Sequence, residues 1–230
     1  MPGHGGGRSF SVPRGAGLTA PHGTPGPDDG YVKYRCLHTP GPAPAHPDLT
    51  ALDALRTALF DAGLLGMRPD GVGFGNLSAR VVGDRFVVTG TGTGGPRVLG
   101  PNGYCLVTEF DVDGNWVRST GPRQASSEAM SHGAVYRADP LARCVAHVHS
   151  RALFDRLLAA GAPNTPADAA FGTPGMARAL AMLVARRPGH AGLVVMSGHD
   201  EGIMGYGPDI ARVAALFEQL ARGEIPLAEV

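Results

Sequence analysis

Cys144-Val-Ala-His147-Val-His149 carries the sharpest chemical signal in the sequence. A strand projects residues two apart from the same face, so the two imidazoles point together. Placed this way they suit cis coordination of one divalent cation, neutral imidazole being the common ligand of zinc and its neighbours. Taken alone, such a pair is more often two histidines without a metal, and a third ligand must come from elsewhere in the chain. The candidate is His199, in Val195-Met-Ser-Gly-His-Asp-Glu-Gly202, where an apolar strand runs into a polar, glycine-bearing loop. Its alternative is an ordinary loop histidine beside an acidic pair. Ser126-Ser127-Glu128 adds a carboxylate at the start of an expected helix, whose first N–H groups can hold an anion. The serines also read as plain helix caps. His132 falls on the same helical face as Glu128, a place for a supporting or core residue rather than a ligand.

Gly90-Thr91-Gly92-Thr-Gly-Gly95 formally matches the dinucleotide pattern G-x-G-x-x-G after a strand. Pro96, Gly100 and Pro101 exclude the helix on which a pyrophosphate would rest. A backbone nest with threonine hydroxyls, able to hold a phosphate, is the better reading. Gly73-Phe-Gly75-Asn76-Leu-Ser78, a turn entering a strand, can bring an amide side chain to the same anion.

The elements that must position these residues are legible from periodicity. Leu49, Leu52, Leu55, Leu59 and Ala62 predict a helix from Asp48 to about Leu65, with Asp48 as N-cap and Gly63 and Gly66 as breakers. Strands Asn76–Val82 and Arg85–Thr89 join at Gly83-Asp84, and strands Tyr104–Asp111 and Trp116–Ser119 turn at Asp113-Gly114-Asn115. A helix from Ser127 to Arg137 leads into the strand Arg143–Ser150, and helices follow over 151–160 and 175–186. Strands Gly192–Ser197 and Gly202–Tyr206 precede a last helix starting at Pro208. Hairpins mixed with helices predict an α/β protein with one antiparallel or mixed sheet carrying helices on its faces.

The chain has 230 residues, 43% hydrophobic and 17% charged, which suits one globular domain over residues 31–230. Residues 1–30 are Gly- and Pro-rich with Phe10 the only aromatic, and read as a flexible arm whose His4 and His22 are not ligands. Its 20 basic and 20 acidic side chains leave no basic field, so neither nucleic acid nor a membrane surface is an expected partner. Lys33 is the only lysine, in Tyr-Val-Lys-Tyr without glycine-rich surroundings, which argues against Schiff-base aldolases, pyridoxal-phosphate enzymes and Walker-type phosphate loops. Cys36, Cys105 and Cys144 are three in number and lack C-x-x-C spacing, so neither a disulfide framework nor a cysteine zinc site is indicated. No apolar run approaches the roughly 18 residues of a membrane helix, and the start lacks a signal-peptide pattern. A cytoplasmic location is the expectation.

Five elements in order resemble one family: Gly75-Asn76-x-Ser78, Thr89-Gly-Thr91-Gly92, Ser126-Ser127-Glu128, His147-x-His149-Ser150, and a distal His199 before a final helix. Over residues 48–222 they look like the class II aldolase/adducin family, whose members include fuculose-phosphate and rhamnulose-phosphate aldolases. The resemblance implies a three-layer α/β/α sandwich around a mostly antiparallel central sheet, commonly in a homotetramer with sites at subunit interfaces. It implies His147, His149 and His199 as ligands of a divalent metal, most often Zn2+, with Mn2+, Co2+, Ni2+ or Fe2+ as alternatives. Glu128 would be the catalytic acid/base, and Asn76, Thr91, Gly92, Ser126 and Ser127 would hold the substrate phosphate. The sequence departs from the family where Asp200-Glu201 intervene between His199 and Gly202, and where residues 150–190 contain no tyrosine. The aldolases place a tyrosine acid there, for which Tyr206 or a neighbouring subunit is the expected substitute. The Gly30-Tyr-Val-Lys-Tyr start looks like a bacterial branch of the family.

The expected activity is that of a metal-dependent lyase, cleaving a carbon–carbon bond through an enediolate in a small phosphorylated hydroxy-carbonyl or sugar compound. A sugar-phosphate dehydratase or epimerase uses the same residues, and an adducin-like interaction protein is the reading from another class.

Overall fold

Val87 and Val88 are adjacent in one strand, and their side chains serve different cores. This alternation repeats across an eight-stranded sheet, in a computed structural model that describes residues 32–225. The expected arm over residues 1–30 lies outside the described residues. The sheet runs β1 (Arg35–Pro40), β7 (Trp116–Gly121), β6 (Tyr104–Asp111), β5 (Arg85–Thr89), β4 (Asn76–Val82), β8 (Cys144–His149), β10 (Gly202–Gly207) and β9 (Gly192–Val195). It is mixed, with β1 parallel to β7 and the other neighbours antiparallel. A separate two-stranded ribbon pairs β2 (Gly66–Met67) with β3 (Gly73–Phe74).

On one face Phe86, Val88, Val107, Val117 and Val145 pack with α2 (Ala129–Ala138) and α4 (Pro174–Val184). On the other, Leu77, Val87, Ala146, Val148 and Ile203 pack with α1 (Leu49–Asp61), α3 (Arg151–Ala159) and α5 (Ile210–Ala221). Strands buried on both sides read as near-continuous apolar runs, as in Cys144-Val-Ala-His-Val. Among the described residues no helix is long and apolar enough to cross a membrane.

Several boundaries differ from expectation, each for a local reason. Helix α1 stops at Asp61 because Gly63 turns left-handed at φ 70°, and Asp48 stands at its N-cap position without a side-chain cap bond. Helix α2 begins at Ala129 rather than Ser127. Helix α4 ends at Val184, two residues short of the expected 186. Pro208 lies just outside α5, whose N-cap Asp209 accepts from the Arg212 N–H. Strand β1 has no counterpart among the elements expected from periodicity. Its hydrogen-bonding partner β7 lies far along the chain, and half of its residues are exposed.

Gly75, between β3 and β4, has φ 78°, and a Cβ there would come within 2.4 Å of Leu65 Cβ. We expect Gly75→Ala to cost about 2–4 kcal/mol, from the left-handed backbone and the overlap together, lowering Tm by roughly 4–16 °C. Gly71, at φ 84° with open space around it, is the control. Gly71→Ala carries only the backbone cost, so equal melting temperatures for the two variants would refute the packing argument.

Candidate metal centre

Strand β8 is central, hydrogen-bonded to β4 on one side and β10 on the other, with His147 opposite Asn76 and Met204. Its alternation places His147 and His149 on the α2 face, and Ser150, directly after them, caps α3 by accepting the Leu153 N–H at 3.3 Å. His199 comes from the loop joining β9 to β10. That loop is fixed by its own backbone: Met196 N–H to Gly202 O at 2.9 Å, His199 N–H to Met196 O at 2.8 Å and Gly202 N–H to His199 O at 2.9 Å. Gly198 cannot carry a side chain there, since its Cβ would lie 1.9 Å from Ala169 O.

These elements bring the three imidazoles to centroid separations of 4.6–5.0 Å, all buried, with potential ligand atoms within 4.8 Å of one another. His147 Nδ1 lies 3.3 Å from Ile203 O, and a carbonyl only accepts, so Nδ1 holds the proton and Nε2 keeps its lone pair. That Nε2 is 3.0 Å from His149 Nε2. Burial, reinforced by the neighbouring His149 and His132, holds His147 well below the usual histidine pKa. Burial and then the nearby His199 lower His149 to about 3, and burial and then His147 and Lys33 lower His199 to about 2. All three are neutral at pH 7, as metal binding requires. Two nitrogens 3.0 Å apart can both lie about 2.0–2.1 Å from one cation. The residues fit a divalent metal ion.

Glu128 is buried at the N-cap position of α2, yet its carboxylate does not cap that helix; its Oε2 accepts from the Ser131 hydroxyl at 2.8 Å. The Ser126 backbone before it is braced by Tyr34, whose hydroxyl is shared between Ser126 O at 2.8 Å and Ala125 O at 3.1 Å. In the facing loop Gly92 takes φ 70° and Thr93 Oγ1 donates to Gly90 O at 2.7 Å. Buried Arg56 holds the same loop through Thr93 O and Arg97 O. No α-helix follows this glycine stretch, in keeping with its prolines. Asn76, Thr91, Gly92, Ser126, Ser127, Glu128, His147, His149 and His199 all line one pocket of about 400 Å³.

A sequence profile described as the class II aldolase and adducin N-terminal domain matches residues 66–223. The chain belongs to this family. No curated protein sequence gives a significant match. Among solved structures, this class II aldolase family chain is similar to YgbL of Klebsiella pneumoniae, a putative aldolase/epimerase/decarboxylase, at 20% identity and TM-score 0.54, covering 75% of this chain and 84% of that one. It is also similar to L-fuculose-1-phosphate aldolase from Thermus thermophilus, at 19% identity and TM-score 0.52, covering 78% and 97%. A sugar-phosphate aldolase from Thermotoga maritima shares 14% identity at TM-score 0.52, covering 76% and 96%.

Sequence reasoning about this class II aldolase family member missed the residues that crowd His199. Phe171 stacks on its ring at 4.3 Å, and Lys33 Nζ sits 3.5 Å from the centre of the Phe171 ring. Neither had a local signal: Phe171 lies in an aperiodic loop and Lys33 far away in the sequence. Tyr206, expected as a substitute acid, is not among the pocket residues. It lies on the same α2 side of the sheet as the histidines but further along β10, opposite Val145, with its hydroxyl against Gly192.

The depressed histidines make the metal-free fold acid-sensitive. His132, fully buried, is lowered to about 3, so below pH 6.5 the unfolded chain takes up a proton that the folded chain refuses. Its contribution is complete above pH 6.5 and is lost as pH falls toward 3. From His132 alone, moving from pH 6.5 to 5 removes about 2 kcal/mol. Urea midpoints of chelator-treated protein at pH 7.5 and 5.0 measure this; an unchanged midpoint would show that these imidazoles protonate within the fold.

Proposed function

We propose that this protein is a divalent-metal-dependent lyase of the aldolase type, acting on a small phosphorylated hydroxy-carbonyl or sugar compound. One observation carries the reading: three buried, neutral imidazoles and a buried carboxylate share a pocket with a glycine–threonine turn and a serine pair. His147, His149 and His199 would hold the cation, which supplies a Lewis acid for adjacent carbonyl and hydroxyl oxygens. Glu128, lining the same pocket, takes the proton from the carbon beside the carbonyl and returns it. Asn76, Thr91, Gly92, Ser126 and Ser127 hold the phosphate with N–H and O–H donors and fix the substrate's register. The two helical faces fit the family's three-layer sandwich, and we take the homotetramer and the preference for Zn2+ from the family resemblance.

A dehydratase or epimerase on the same residues is favoured by one feature. Among the described residues no tyrosine lines the pocket to serve as a second acid. A non-catalytic, adducin-like role gives no account of a buried carboxylate that shares a pocket with three converging imidazoles. The test is metal analysis of protein purified without added metal, followed by a turnover screen of short phosphorylated ketoses and aldehydes with and without chelator. Metal-free, chelator-indifferent protein that turns over none of them would overturn the enzymatic reading.

A further inference from the structure

Asn76 holds an anion in the proposed function, and the role assigned here to His132 rests on that reading. Asn76 lines the pocket, yet its Oδ1 is buried without a hydrogen-bond partner. An asparagine serves an anion only with its Nδ2 donor turned outward, so a donor behind Oδ1 must keep the amide from turning over. On the same face of β4, two residues along, Ser78 Oγ lies 2.7 Å from the Tyr136 hydroxyl and 2.7 Å from His132 Nδ1. All three side chains are buried between α2 and the sheet.

The direction of donation along this chain of side chains is set by its members. A buried phenol must donate, and among the described side chains its partner is Ser78. Ser78 is left to donate its own proton to His132 Nδ1. The neutral imidazole then carries its hydrogen on Nε2. That Nε2 is buried and has no partner. His132 is near enough to His147 to lower its pKa, and His147 stands opposite Asn76 across β8 and β4. An orphan donor and an orphan acceptor thus occupy the same layer beneath the pocket.

We propose that His132 is a positioning residue for the anion site: its Nε2–H, through one enclosed water, holds Asn76 Oδ1 and turns the amide nitrogen toward the substrate's anionic group. Tyr136 and Ser78 act one step further back by fixing the tautomer. The role is a matter of donor polarity, so it distinguishes His132 from a side chain that only fills space.

The experiment titrates inorganic phosphate into metal-loaded wild type, Asn76→Ala, His132→Leu, His132→Gln and Tyr136→Phe, with melting temperature and metal content recorded for each. Nitrogen-15 shifts of the histidine ring in the wild type report the tautomer directly. We expect Asn76→Ala to weaken phosphate binding. His132→Leu and Tyr136→Phe should weaken it about three- to tenfold, the worth of one net hydrogen bond. His132→Gln, which keeps a donor, should restore most of it, and metal content should not change. Tyr136→Phe removes a single hydroxyl and decides the matter if His132→Leu fails to fold. Unchanged affinity in folded Tyr136→Phe, or a His132 hydrogen on Nδ1, overturns the positioning role while the anion site stands. No phosphate binding by the wild type, or full binding by Asn76→Ala, overturns the anion site and the positioning role together.

Discussion

Glu128→Gln is expected to keep the fold and the metal, yet to lose exchange of the substrate's acidic C–H with solvent by about 10²- to 10⁴-fold, the usual cost of a missing acid/base. The substitution preserves shape, and an amide oxygen can still accept from the Ser131 hydroxyl that now donates to Oε2. No helix cap is lost, because the Glu128 carboxylate does not cap α2. If Glu128 were instead a structural group or a ligand, the variant would lose stability or metal, and activity would fall as a consequence. Metal content, melting temperature and deuterium incorporation into a phosphorylated ketose, measured on one preparation, distinguish these outcomes. A stable, metal-loaded variant that exchanges at the wild-type rate removes Glu128 from the mechanism.

His199→Ala leaves two donors on one strand, and we expect metal affinity to fall by more than about 100-fold, beyond the typical cost of losing a mere supporting partner. The polypeptide should survive, since the loop is tied by its own backbone bonds between Met196 and Gly202. The metal-free variant should therefore melt within a few degrees of metal-free wild type. Wild type should gain about 2.7 kcal/mol when metal reaches 100 times its Kd, a gain the variant should lack at the same concentration. Stoichiometric metal with unchanged affinity in folded His199→Ala would dismantle the triad.

Much of the site was legible because its geometry is local. Residues two apart in a strand share a face, which placed His147 with His149, and the Gly83-Asp84 turn follows from a φ of 57° that glycine adopts without strain. The expected gathering of His199, Glu128 and Asn76 came from the order of motifs in a family, since no local rule brings β4, α2 and the β9–β10 loop together. What stayed hidden depends on tertiary placement alone. Phe171 meets His199 because the loop before α4 folds back over the β9–β10 turn. The donor chain through Ser78 and Tyr136 crosses from sheet to helix, and both residues would pass for ordinary core positions. Strand β1 shows no strong alternation, and it is a strand because β7 offers it an edge.

That edge has a consequence for the order in which the molecule can be made. His38 on β1 meets Ser119 across 81 positions, and Tyr34 just before β1 reaches Ser126 across 92. Of the strands in the sheet, β1 is thus the first to be translated, and it waits for β7 before it has a partner. At ribosomal speeds of about 5–20 residues per second, those 81 positions take roughly 4–16 s to appear. The hairpins β4–β5 and β6–β7 close soon after their own strands emerge, because their partners are near neighbours. The brace beneath Ser126 therefore becomes possible after the hairpins β4–β5 and β6–β7 and before β8, β9 and β10 have been made. The N-terminal segment comes back to a half-built sheet, and the pocket's anion-facing wall can take shape ahead of the strands and loop that carry the histidines.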